Sequence, residues 1–223
     1  MNKMRCLCIV LFLFLCQAVA HADMVIKTVA GTGSAGSAGD SGSAEAAQIN
    51  VPSSVALDAA GNLYIAEYGG HRVRKVNTSG IISTVAGIGS AGNFGDGGLA
   101  TSAQLYSPCG VAVDSSSNLY IADTTNCLIR KVDTSGVITS IAGTGSAGYS
   151  GDGSTATLAM INSPIGVAVD LAGNVYFADM GNNRVRKISP VGTITTIAGN
   201  VGGYSGDGST ATAANLNGPR GIA

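Results

Sequence analysis

The chain has 223 residues, a formal net charge of −1 and only 11% charged residues, against roughly 25% in an average globular domain. With no basic excess, binding of a nucleic-acid backbone by bulk charge is excluded. Glycine supplies 33 residues without a three-residue period, so the chain is not collagen-like, and its glycines cluster where turns are needed.

At the N-terminus, Lys3 and Arg5 precede an apolar run, Cys6 to Leu15. That run is too short for the ~20 residues of a membrane-spanning helix. Ala18-Val19-Ala20 and Ala20-His21-Ala22 offer A-x-A cleavage sites. Residues 1–22 therefore read as a secretory signal peptide, and 23–223 as the mature chain. Two alternatives remain: an uncleaved anchor, and lipidation at Cys16, although Leu15 stands where a small residue is usual. No long apolar run follows Ala22, so no membrane span is expected after cleavage, and the product is expected to be secreted, periplasmic or on the cell surface.

A constant spacing organises the remainder. Ala30-Gly31, Ala86-Gly87, Ala142-Gly143 and Ala198-Gly199 recur every 56 residues (86−30, 142−86, 198−142). Asp58, Asp114 and Asp170 keep the same step, as do Tyr64, Tyr120 and Tyr176. One supersecondary unit is used repeatedly. Val25 to Val29 reads as a lone strand, followed by a glycine-rich link. In the first complete unit, Val55 to Leu57 is a short strand and Asp58 to Asn62 a turn closed by the aspartate. Leu63 to Ala66 is apolar on both faces and reads as a buried strand. Arg72 to Val76 alternates and predicts a half-exposed third strand; Ile81 to Val85 is the fourth.

The second unit repeats this with strands at Val111 to Asp114, Leu119 to Ala122, Ile129 to Val132 and Val137 to Ile141. Ser117 replaces the turn glycine, at a cost of roughly 1 kcal/mol if left-handed backbone is retained. Links of about twenty residues, such as Gly87 to Ser107, join the units, and Thr101 to Leu105 has the composition of a single helical turn. Four antiparallel strands per repeat is the pattern of a β-propeller blade; a coil-type solenoid, with fewer strands per turn, is the competing fold.

The third unit carries the fullest signature: Pro164-Ile165-Gly166-Val167-Ala168-Val169-Asp170, then Gly173-Asn174-Val175-Tyr176-Phe177-Ala178-Asp179, then Asn182-Asn183-Arg184-Val185-Arg186-Lys187. Tyr149 to Gly153 and Tyr204 to Gly208 repeat a Tyr-Ser-Gly-Asp-Gly linking motif. These residues resemble the NHL-repeat family, in its exported bacterial type with long repeats. The resemblance implies an all-β propeller, commonly six-bladed, and a binding platform rather than an enzyme. Three complete blades and lone terminal strands do not close a ring, because the chain stops at Ala223 inside the first strand of a new blade. It therefore reads as a fragment of a longer protein, with self-association of two chains into one ring as the alternative.

Several repeated polar residues point to structure. Asp40, Asp96, Asp152 and Asp207 stand singly in the links, whereas calcium wants six to eight oxygens; they read as turn residues. Glu67, Asp123 and Asp179 recur alongside Arg74, Arg130 and Arg186, a pattern of ion pairs within or between blades. No zinc-type His pair or Cys-x-x-Cys exists, and neither metal nor cofactor is expected. Recognition is expected on the loop-bearing face, where blades differ: Tyr68, His71, Thr124, Asn126, Met180, Asn183, Tyr149, Tyr204 and Arg220. The ligand class expected is protein, peptide or glycan. The alternative is part of a propeller lyase or lactonase whose metal or catalytic residues lie in other blades; a purely structural surface repeat is a third. Cys109 and Cys127, placed at one end of one hairpin, form a candidate disulfide.

Overall fold

The computed structural model describes residues 25–223; the signal segment and Cys16 lie outside the described residues. Three four-stranded antiparallel sheets are present, each a simple meander. The first holds β1 (Pro52–Leu57), β2 (Leu63–Glu67), β3 (Arg72–Val76) and β4 (Ile82–Ala86). The second holds β5 (Gly110–Val113), β6 (Leu119–Asp123), β7 (Leu128–Val132) and β8 (Ile138–Ala142). The third holds β9 (Pro164–Val169), β10 (Val175–Asp179), β11 (Arg184–Ile188) and β12 (Ile194–Ala198). The first strands lie side by side, β1 against β5 and β5 against β9, as innermost strands of successive propeller blades. Gly110 and Gly166 allow this approach, since a Cβ there would strike the carbonyls of Ile165 and Arg220. Val25 to Val29 and the last residues, expected as lone strands, form no ladder, although the last residues lie beside β9.

The turns obey the local chemistry of the sequence. Asp58, Asp114 and Asp170 each accept the backbone N–H four residues on, at 2.8–2.9 Å. Each also accepts the side-chain amide of that asparagine, at 2.8 Å. The repeated tyrosine hydroxyl closes the group at 3.0–3.3 Å. Ser117 keeps the left-handed φ of +67° that Gly61 and Gly173 adopt at +85° and +82°. The predicted helical turn is a 3-10 turn at Ala100–Ser102, with counterparts at Ala44–Ala46 and Ala156–Leu158.

The core lies between blades. Tyr64, Ala66 and Val73 of the first blade meet Leu119, Ile121 and Ile138 of the second, and link residues Ala100, Ala103 and Leu105 fill the gap. The same contacts recur one blade on, with Ala156, Ala159 and Ile161 as filler. Each link therefore serves as part of the core, which is why a long segment with little regular structure is ordered.

One expectation fails inside the blade. The third strand is not simply half-exposed: Arg74, Arg130 and Arg186 are fully buried. Each lies 3.3–3.6 Å from a buried carboxylate at the end of the second strand, Glu67, Asp123 or Asp179. Each also lies 2.6–2.8 Å from a link carboxylate, Asp40, Asp96 or Asp152. A link carbonyl, from Gln48, Gln104 or Met160, accepts a further guanidinium hydrogen bond. Asp40, Asp96 and Asp152 are thus not lone turn formers, since each has a guanidinium as partner; Asp207 accepts the Tyr204 hydroxyl instead. Removing one member of such a cluster strands buried charge. Arg130→Met is expected to cost about 3–5 kcal/mol in urea unfolding, and a loss under 1 kcal/mol would show that the cluster does not hold the blade.

Candidate functional site

The first strand of a blade starts where the second ends, so the links and the loops 68–71, 124–127 and 180–183 share one end of the molecule. At the axis, the residues that open the inner strands, Ser53, Cys109, Ile165 and Arg220, line a cleft of about 420 Å3 with the neighbouring glycines. Val55, Val111 and Val167 also line it. Ser53 Oγ donates to the Cys109 carbonyl at 2.9 Å and lies 3.1 Å from that of Pro108, tying the first blade to the second. Arg220 is the one charged side chain on this lining, and it is exposed.

The predicted recognition residues divide sharply. Thr124 is buried and donates to the Pro164 carbonyl of the next blade at 2.7 Å. Asn126, also buried, donates to the Gly92 carbonyl at 2.7 Å and to Asp123 at 2.9 Å. His71 Nδ1 accepts the Ser107 N–H at 3.1 Å, which leaves its proton on Nε2, and its ring meets Tyr106 edge-on at 5.5 Å. Asn183 Oδ1 does the same work two repeats on, accepting the Gly218 N–H at 2.8 Å. Tyr149 stacks on the Arg184 guanidinium at 3.8 Å and donates to Asp152 at 2.9 Å. These five residues are committed to internal contacts. Tyr68 and Tyr204 are exposed, Tyr204 keeping a bond to Asp207 at 3.1 Å, and Met180 is half-buried. With Arg220 they are the predicted side chains left facing outward.

Both cysteines are free, which corrects the expected disulfide. Cys109 bonds to the β6 backbone through Ala122, whereas Cys127 opens β7 on the far side of that strand. Two strand spacings separate them, about 9–10 Å, beyond the ~7 Å a disulfide spans. Cys127 instead packs with Ile129 and Val167 in the core between blades. Alkylation without reductant, followed by peptide mapping, is expected to label both, half-exposed Cys109 before buried Cys127. Recovery of a linked peptide pair would restore the bond.

Beneath the loops the ionisable groups differ between blades. Asn126 and Asn182 each donate to the buried aspartate of their blade, at 2.9 and 2.8 Å. In the first blade Gly70 takes the asparagine's place, and the longer Glu67 fills the space, with Oε2 buried and unpartnered. Burial pushes the Glu67 carboxyl up to about 7, against the pull of Arg74 and Arg72. Burial likewise pushes Asp123 up to about 6, and raises Asp179. At the turns, burial also pulls Asp58 and Asp114 upward, but hydrogen bonds from Asn62 and Asn118 outweigh it and leave both below the ordinary carboxylate value.

A carboxyl that grips its proton more tightly when folded stabilises the fold at low pH, and that contribution is lost as pH rises towards the folded value. For Glu67 the window runs from 4.5 to about 7. Stability is expected to decline across it, and Glu67→Gln is expected to flatten the decline in denaturant titrations; an unchanged slope would remove Glu67 as the cause. Among the described residues, no three His, Cys, Asp or Glu side chains gather as a metal-binding set.

Comparison with known proteins agrees with this geometry. The Teneurin NHL domain family matches residues 22–93, 88–149 and 144–205, the last two starting one repeat apart (144−88 = 56). Human Teneurin-1 is 28% identical over 201 residues, covering 82% of this chain and 7% of that protein. Chicken NHL repeat-containing protein 2 is 36% identical over 108 residues, 46% of this chain and 14% of that protein. The chain thus spans a small part of these relatives. A solved protein of unknown function from Bacteroides thetaiotaomicron superposes with a TM-score of 0.60 at 23% identity, over 77% of this chain and 41% of that one. With the family matched along most of its length, the chain belongs to the NHL-repeat β-propellers, of the Teneurin NHL domain type.

Proposed function

We propose that this chain is an exported, non-enzymatic binding module that takes a protein, peptide or glycan partner on its loop-bearing face. The observation that carries this reading is the division of labour on that face. Bonds across the junctions lock Thr124, His71 and Asn183 in place, and Asn126 is held by the link and by Asp123. Tyr68 and Met180, which differ from blade to blade, stand exposed or half-buried around them, with exposed Tyr204 and Arg220. A rigid frame presenting a few dissimilar side chains loses little entropy on binding, and aromatic and arginine side chains are the usual anchors of an interface. The repeated carboxylates of the blades, the natural source of acid–base chemistry, are held against arginines inside the blades rather than at the cleft.

Immobilised protein screened on glycan, peptide and extracellular-protein arrays is expected to yield a saturable partner. The double variant Tyr68→Ala/Arg220→Ala should weaken that partner by about tenfold or more, the effect of losing one to two anchor contacts, with unchanged thermal melting. Full binding by the variant would move the site elsewhere, and no partner on any array would count against a binding role.

A further inference from the structure

The three link carboxylates solve one problem in three ways, and one solution is unfinished. In the third blade, Tyr149 lays its ring over Arg184 and donates its hydroxyl to Asp152, with Thr196 Oγ1 3.2 Å from the same hydroxyl. In the link of the first blade, Ser37 stands where the third has Tyr149, and Thr84 donates directly to Asp40 at 2.7 Å. In the second blade, the residues one repeat before Tyr149, Asp152, Arg184 and Thr196 are Asn93, Asp96, Leu128 and Ser140 (each 56 lower). Those four residues, with Gly143, Thr144 and Gly145, line a cleft of about 550 Å3 on the loop-bearing end. Ser140 Oγ is buried and has no hydrogen-bond partner. Asp96 gives Oδ1 to Arg130 and accepts only the Ser140 N–H on Oδ2, so that oxygen keeps a free lone pair.

We infer that this cleft of the second blade is a docking slot for the phenol ring of a tyrosine side chain presented by a protein partner; the inference rests on the loop-bearing face being the binding face. The chain supplies its own template. A tyrosyl hydroxyl seated as in the third blade would donate to Asp96 Oδ2, and rotation of the Ser140 side chain about χ1 would turn its buried, unpaired hydroxyl toward that phenol oxygen. Leu128 replaces the guanidinium under the ring with an apolar floor, which favours an aromatic face over a sugar or an anion. Asp96 repels carboxylates and phosphates. Gly143 and Gly145, both at positive φ, flank Thr144 on the lining, and Thr157 completes it.

The test is a 1H–15N NMR titration of the full chain with N-acetyl-L-tyrosinamide, and with N-acetyl-L-phenylalaninamide as the probe that lacks the hydroxyl. Saturable millimolar shifts are expected at Ser140, Gly143 and Gly145 for the tyrosine amide. The phenylalanine amide is expected to bind about tenfold more weakly, the ordinary worth of one satisfied buried hydrogen bond. Asn93→Tyr should fill the slot from within, raise the melting temperature and abolish the shifts. If that variant does not fold, Ser140→Ala should narrow the difference between the two probes, because only the hydroxyl's bond to Asp96 then remains. Equal binding of both probes to the unaltered chain, no shift at these residues, shifts that survive a folded Asn93→Tyr variant, or an unchanged probe ratio in Ser140→Ala would overturn the inference. The array experiment separates the two readings. A partner lost with Tyr68→Ala/Arg220→Ala, while the tyrosine amide leaves the slot untouched, removes the slot but keeps the binding face. A saturated slot with no array partner supports the slot and removes the broader reading.

Discussion

A guanidinium shut off from water must be neutralised and hydrogen-bonded, and that requirement organises this molecule. Arg74, Arg130 and Arg186 are each fully buried in the third strand of a blade. Desolvating such a charge costs several kcal/mol. The cost is offset only because two carboxylates and a main-chain carbonyl converge on it from separate parts of the chain. One carboxylate ends the preceding strand, and the other sits 34 residues earlier, in the link. The arginine therefore does more than close its own sheet. It captures the link, and the captured link delivers Ala100, Ala103 and Leu105, or their counterparts, into the gap between blades.

The first blade shows how the same requirement tolerates change. Aspartate plus asparagine in the second and third blades becomes Glu67 plus Gly70 in the first. The extra methylene of the glutamate takes the room the asparagine would occupy, and a Cβ at position 70 would collide with it. The exchange keeps the charge opposite Arg74 but loses the amide donor, so one carboxylate oxygen is left without a partner. That loss explains why burial raises Glu67 furthest into the neutral range.

Rigidity of the loop-bearing face follows from the junctions between blades. At two of them a side chain in left-handed backbone, His71 or Asn183, accepts the N–H of the residue before the next proline. At the other, Thr124 reaches the Pro164 carbonyl instead, and Cys127 turns into the core. Different side chains thus serve one mechanical purpose, so variation between repeats on this face is not by itself a mark of recognition. Tyr149 extends the point, because its ring is held by Arg184 and Asp152 rather than offered to a ligand.

Period, strand count and turn chemistry were legible in the sequence because each is local: the aspartate, asparagine and tyrosine of a turn stand within six residues of one another and bond to one another in the fold. The pairing of Glu67, Asp123 and Asp179 with arginines was legible too, since both partners recur in step only seven residues apart. Tertiary structure alone decided the rest. That Asp96 faces Arg130, that Asn126 faces inward to Gly92 and Asp123, and that Cys109 and Cys127 stand on opposite sides of β6 depend on how a twenty-residue link crosses a sheet and on which strand comes between. A repeat reports what each blade shares along the chain. Contacts across a blade, or between one blade and the next, come from packing in directions the chain does not run, and those contacts determine which polar side chains remain for a partner.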